Sequence, residues 1–259
     1  MKKLNSVVNQ IDFNEEVKPS EDYRYTSPYL DPNLYDCEKC NNEGYLIEEH
    51  EGREVAVECG CMRRRETLMN IKNSNLQEAF KRYTFENYVT DTDWRNKIKD
   101  KAKAYLKNQV RGFYIGGQIG AGKTHICTAI AGRFVIAGYR VKHEQWRELT
   151  SYLRSNMNDD EYYFKMDKLK KAKVLYIDDF LKTEMGKPPT ESDLKIAWEL
   201  INSRYQANVK TIISSEHTIR SLMQTSEAIG SRIVEMTETD FMLDIKKDMK
   251  KNYRLKGMI

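Results

Sequence analysis

The chain has 259 residues, enough for one α/β domain with a full core and a small appendage that needs its own staple. Its 40% hydrophobic and 32% charged residues are those of a globular domain and exclude a long disordered chain, while a formal net charge of +4 is too small to declare a nucleic-acid partner. No apolar run reaches the roughly 18 to 20 residues of a membrane span, and the opening stretch MKKLNSVVNQIDFNEE lacks a signal-peptide core, so a cytoplasmic protein with no membrane partner is expected.

Residues 1–34 show neither helical nor strand periodicity and contain Pro19 and Pro28, so they read as an N-terminal arm. Residues 35–65 form the next unit. Here Cys37, Cys40, Cys59 and Cys61 flank GYLIEEHEGREVAVE, whose halves alternate apolar and polar residues about an EHEG turn, predicting a β-hairpin between two cysteine pairs.

A reducing compartment disfavours disulfides, and C-x-x-C followed after about 18 residues by C-x-C is close to zinc-ribbon spacing. Four thiolates leave no open coordination position, so the expected zinc is structural, and it would supply folding energy that so small a unit lacks. An iron–sulfur cluster, unligated thiols, or His50 in place of one thiol are the alternatives at this point. Cys127 lies in an apolar helical stretch and reads as core.

Residues 66–82 read as a helical connector, with Leu68, Ile71, Leu76 and Phe80 at helical spacing and a break at residues 73–75. The large domain spans 83–259. Trp94, Ile98, Ala102, Tyr105 and Leu106 share a helical face, followed by strand candidates at 112–115, 140–143, 174–178, 211–215 and 241–245. Strands alternating with helices predict an α/β fold: a parallel sheet flanked by helices.

Between the first of those strands and a helix lies Gly117-Gln118-Ile119-Gly120-Ala121-Gly122-Lys123-Thr124, a full match to G-x-x-x-x-G-K-[ST], with His125 following. Glycines let successive N–H groups turn toward phosphates, and the helix adds its positive end. Lys123 is expected on the β and γ phosphates of ATP or ADP, and Thr124 on Mg²⁺. The strand VLYIDD supplies the matching acids at its C-terminal end, with Asp178 on the metal and Asp179 as the base that orients water. A P-loop ATPase follows.

The cysteine unit, RYTFENY, the P-loop, the acid pair, TIISSE and NYRLKG together resemble the DnaC/DnaI family of bacterial and phage replicative helicase loaders over most of residues 35–256. The resemblance implies an AAA+ core, a helicase-binding N-terminal module, a replicative hexameric helicase and single-stranded DNA as partners, and self-association through the ATPase domain. It places a γ-phosphate sensor at Ser215 or Glu216, where asparagine is usual, an arginine finger acting in trans at Arg232, and a cis-acting arginine at Arg254. A guanidinium suits both roles because its planar fork pairs with phosphate oxygens. Lysine- and asparagine-rich composition points to a low-GC bacterial or phage origin.

Residues 145–173 interleave Trp146, Tyr152, Tyr162, Tyr163 and Phe164 with Arg147, Arg154, Lys165, Lys168 and Lys170. They read either as a DNA-stacking surface or as two amphipathic helices with core aromatics. Over 193–206, Leu194, Ala197, Trp198, Ile201 and Tyr205 read as core, with Arg204 at a subunit interface. Two further functions fit the same motifs: a transposition-helper ATPase that binds DNA, and a nucleotide-dependent helicase adaptor or inhibitor with little hydrolysis, the latter because Asp179 and Glu216 stand where glutamate and asparagine are more usual.

Overall fold

The computed structural model describes residues 33, 35–50, 52–73, 76–183 and 187–256, so the expected N-terminal arm lies outside the described residues except for Asn33. Strands β1 (Tyr45–His50) and β2 (Arg53–Glu58) pair antiparallel from Tyr45↔Glu58 to His50↔Arg53, which leaves a tighter turn than the expected EHEG. Both strands are largely exposed, including Tyr45, Ile47 and Val55.

Helix α1 (Cys61–Asn73) begins on the last cysteine, and α2 (Gln77–Arg82) follows the expected break. Leu68, Ile71, Leu76 and Phe80 are buried in the same cluster as Ile126, Ala129 and Ile130, so this connector is built into the core of the large domain.

The five parallel strands β3 (Gly112–Gly117), β4 (Val141–Gln145), β5 (Val174–Phe180), β6 (Lys210–Ser215) and β7 (Met242–Ile245) lie in the order β4-β5-β6-β3-β7. Helices cover both faces, which is why strands such as VLYI are apolar throughout. Phe113, Ile115, Val174, Tyr176 and Ile212 face one layer, made by α1, α2, α3 (Asp93–Leu106) and α4 (Lys123–Ile136). Tyr114, Leu175, Ile177 and Ile213 face the other, made by α5 (Trp146–Ser155), α6 (Asp160–Lys171), α7 (Glu191–Ala207), α8 (Ile219–Thr225) and α9 (Glu227–Thr237). Two 3₁₀ turns, Met249–Lys251 and Tyr253–Leu255, end the described chain. No helix among the described residues is long and apolar enough to cross a membrane.

Two expectations are corrected, and one pair of alternatives is divided. Arg204 is fully buried, and its guanidinium donates to Leu169 O at 2.7 Å, Ala172 O at 2.9 Å and Thr211 Oγ1 at 2.9 Å, tying the end of α6 to β6; it is an internal brace, unavailable to a subunit interface. Trp198 is not core: it is exposed and carries the Arg232 guanidinium 3.9 Å above its ring. The aromatics of 145–173 divide, since Trp146 and Tyr162 are buried while Tyr152, Tyr163 and Phe164 are exposed. Cys127 is buried, as its apolar neighbours predicted.

Candidate nucleotide site and thiol cluster

The P-loop turns at the C-terminal end of β3, and the acids leave β5 at the same edge, with β6 between them. Gly117 sits at φ +101 with Ile245 O only 2.1 Å from where a Cβ would stand, so glycine alone fits this crossing of β3 and β7. Gln118 Oε1 accepts from Asp248 N–H at 2.8 Å, which fastens the loop to the C-terminal segment.

Lys123 opens α4, and its ammonium donates to Gly117 O at 3.0 Å and Gln118 O at 2.7 Å, lying across the loop that would receive phosphate. Burial holds its pKa below the usual lysine range, against the opposing pull of Asp179 and Glu216. Thr124 Oγ1 donates to Asp178 Oδ1 at 3.1 Å, so the hydroxyl and carboxylate expected on Mg²⁺ stand side by side. That same oxygen accepts from Tyr176 OH at 2.7 Å and from Ser214 Oγ, which fixes the buried carboxylate.

Asp179 is more open. Its backbone is left-handed, at φ +53, its N–H donates to Ser214 Oγ at 3.0 Å, and its Oδ2 meets Lys182 Nζ at 2.8 Å. Lys182 Nζ also meets Glu216 Oε1 at 2.8 Å. Burial pulls the Lys182 pKa down, but hydrogen bonds to Asp179 and Glu216 outweigh it and leave it above the usual lysine range.

A cavity of about 470 Å³ joins these groups to the P-loop and is lined by Tyr83, Tyr88 and Val89, by Asp179, Lys182 and Glu216, and by Arg82, Arg95 and Arg254. That volume suits a nucleotide-sized ligand, and the lining supplies both the aromatic and aliphatic groups that a base requires and the cations that phosphates require. His125 fastens the aromatic wall: its Nε2 donates to Thr84 O at 2.8 Å, and its ring lies 5.0 Å from that of Tyr83 and 5.1 Å from that of Tyr88. Donation from Nε2 fits a neutral ring, and burial holds the His125 pKa below the usual histidine range.

The structure thus gathers residues 117–125, Asp178, Asp179, Glu216 and Arg254 in one place. Ser215 is separated from them: it is fully buried, donates to Phe180 O at 2.8 Å and accepts from His217 N–H, leaving Glu216 as the side chain that faces the cavity. Arg232 stands apart on α9, held by the Trp198 ring and by Asn202 Oδ1 at 2.8 Å, where it has no part in the cavity of its own chain. Sequence reasoning missed Ser214, Tyr176 and Lys182, whose roles depend on β5 and β6 lying side by side. Tyr83 and Tyr88 stood in RYTFENY, but nothing local marked them as cavity walls.

The four cysteines converge, all Sγ atoms lying within 4.8 Å of one another, with Cys37–Cys59 at 3.8 Å and Cys40–Cys61 at 3.5 Å. Thiolates about 2.3 Å from one tetrahedral ion would stand about 3.8 Å apart, so the set fits a single ion. A cluster with bridging sulfides would hold them farther apart. Asn42, left-handed at φ +67, accepts from Cys37 N–H at 3.0 Å and shapes the first knuckle, while Gly44 N–H points at Cys40 Sγ from 3.4 Å. Burial pushes the Cys61 thiol up to about 12; at Cys40 it also pushes upward, but Gly44 N–H and the neighbouring thiols outweigh it and bring that thiol to about 7. His50 lies at the far end of the hairpin with a side chain 67% exposed, so it replaces no thiol.

Sheet order, P-loop and acid pair define a P-loop ATP-binding protein with the AAA+ fold. The chain belongs to the IstB-like ATP-binding protein family, whose model matches residues 46–244. It is 32% identical over 244 residues to the phage-like element PBSX protein XkdC of Bacillus subtilis strain 168, covering 88% of this chain and 89% of that one. Among solved structures it shares its fold with the DnaC helicase loader, at TM-score 0.54 and 20% identity over 65% of this chain and 99% of that one. The DnaI structure is alike, at TM-score 0.54 and 20% identity over 65% of this chain and 93% of that one.

Proposed function

We propose that this chain is an ATP-dependent loader of a replicative hexameric DNA helicase, of bacterial or phage origin. The observation that carries this reading is the exposed hairpin, whose Tyr45 and Ile47 stand in the open on a thiol cluster that is joined by α1 to the nucleotide-binding core. Tyr45 and Ile47 share their strand face with Ala56 and with Glu49, Glu54 and Glu58, and exposed aromatic and aliphatic side chains set among carboxylates suit a protein partner. The fold shared with the DnaC helicase loader and DnaI agrees with it.

In this reading Cys37, Cys40, Cys59 and Cys61 hold a structural zinc, and Thr124 and Asp178 hold Mg²⁺ beside ATP. Lys123 neutralises the phosphates, Asp179 orients the water for hydrolysis, and Arg254 reaches the nucleotide in cis. Arg232 serves a neighbouring subunit, its outward position on α9 fitting an action in trans. Single-stranded DNA meets the exposed Tyr152, Tyr163 and Phe164 with nearby lysines, since aromatic faces stack bases and cations follow the backbone.

The test is co-purification of the full chain with the host's replicative helicase, with and without ATP, beside a Tyr45→Asp/Ile47→Asp variant. Removing residues 1–65 is a poorer control, because it cuts into α1. A complex that the hairpin variant loses supports the loader. No complex in any nucleotide state would move the assignment to a transposition-helper-type DNA-dependent ATPase.

A second reading, a helicase adaptor with little hydrolysis, is favoured by Lys182 engaging both Asp179 and Glu216. Single-turnover ATP hydrolysis with DNA present separates the two, and robust turnover removes the adaptor.

A further inference from the structure

Glu216 faces the cavity beside Asp179, so two carboxylates stand where a triphosphate must come close. Left alone they would repel the γ-phosphate. Lys182 stands between them, 2.8 Å from Asp179 Oδ2 and 2.8 Å from Glu216 Oε1, and lines the same cavity. An ammonium has three N–H donors, and these two bonds use two of them.

The backbone is shaped to bring that lysine back over the strand end. Asp179 and Leu181 are both left-handed, at φ +53 and φ +57, and Lys182 N–H closes the turn on Asp179 O at 2.9 Å. Leu181 is fully buried and anchors the turn. Two non-glycine residues in this region within one turn are costly, and such strain collects where a side chain must be held for function.

Lys123 is committed to the loop carbonyls of Gly117 and Gln118, on the P-loop side of the cavity. Lys182 brings a second cation from the β5 side.

We propose that Lys182 is the side chain that reads the γ-phosphate of ATP in this chain, with Glu216 as its carrier in place of a neutral sensor side chain. Its third N–H is the donor offered to a γ-phosphate oxygen. This deepens the ATP-site reading and owes nothing to the helicase reading.

The experiment is calorimetric titration of the full chain with Mg·ATP and, separately, with Mg·ADP, for the parent, Lys182→Met, Glu216→Gln and the double variant, with thermal melting as a check on folding. Lys182→Met uncovers both carboxylates toward the γ-phosphate and is expected to weaken ATP about tenfold and ADP less than about twofold. The double variant, with the Glu216 charge removed but the ammonium still missing, is expected to regain only the part of the loss that comes from the uncovered Glu216 carboxylate, a coupling that independent sites would not give.

Equal losses for ATP and ADP, no loss at all, or a double variant that binds ATP as tightly as the parent would overturn the proposal. Should Lys182→Met melt early, Lys182→Arg decides: retained preference for ATP over ADP supports the role, and a lost preference with intact folding refutes it. Helicase capture is a separate measurement, so its failure leaves this one standing.

Discussion

Asn252 fills the place that a side chain on Gly120 would take: a Cβ there would lie 1.9 Å from Asn252 Oδ1. The neighbouring Tyr253 N–H donates to Gly120 O at 2.9 Å, so the P-loop and the C-terminal turn that carries Arg254 are interlocked. Gly120→Ala would meet this contact and a left-handed backbone at φ +73 together. ATP affinity is expected to fall about tenfold, while folding loses only about 1–3 kcal/mol, because the strain is local. Calorimetry and denaturant unfolding check it; unchanged affinity would mean that the interlock does not organise the site.

Metal analysis of the purified chain is expected to find about one zinc per chain, lost when Cys37 and Cys40 are both replaced by serine. Chelation should lower the melting temperature, since binding energy in so small a unit is folding energy. A metal-free chain whose hairpin amides remain protected from exchange would end the zinc assignment.

Arg232 predicts complementation. Lys123→Ala and Arg232→Ala chains, each inactive alone, are expected to regain part of their ATP hydrolysis when mixed, because one supplies an intact P-loop and the other an intact finger. The assay needs both variants folded and assembling. Absence of rescue under those conditions would assign Arg232 to its contacts with Trp198 and Asn202 alone.

The pH dependence of stability has a definite sign. Burial lowers the pKa of both His125 and His143, so near and below the ordinary histidine value of about 6.5 the unfolded chain binds more protons than the folded one. Stability is therefore full above that value and falls as pH drops through the lowered folded values. His125→Gln is expected to flatten the slope between about pH 7 and 5 in denaturant titrations; an unchanged slope would place the effect on other groups.

The strands and P-loop were legible because their signals are local: apolar runs, glycine spacing, and a lysine and threonine at fixed offsets. The adjacency of Asp178 and Ser214 was not, since it arises from β5 and β6 pairing across 36 residues. Arg204 misled for a related reason. A charged residue on a helix reads as surface, and only the carbonyls at the end of α6 make its burial tolerable. Trp198 failed in the opposite sense, its apolar character satisfied by a stacked guanidinium instead of a core. Lys182 carried no motif, and only the turn after β5 reveals where it points.

Helix α1 has one end in the thiol cluster and its flank against the helix that follows the P-loop. Its 13 residues give a stiff rod of about 20 Å. Torque applied at the hairpin would travel along that rod without a slack joint, and a shift of the phosphate-facing helix would travel back the same way. The thiol cluster and the helix behind the phosphate loop thus share one continuous, packed helix, with no linker between them.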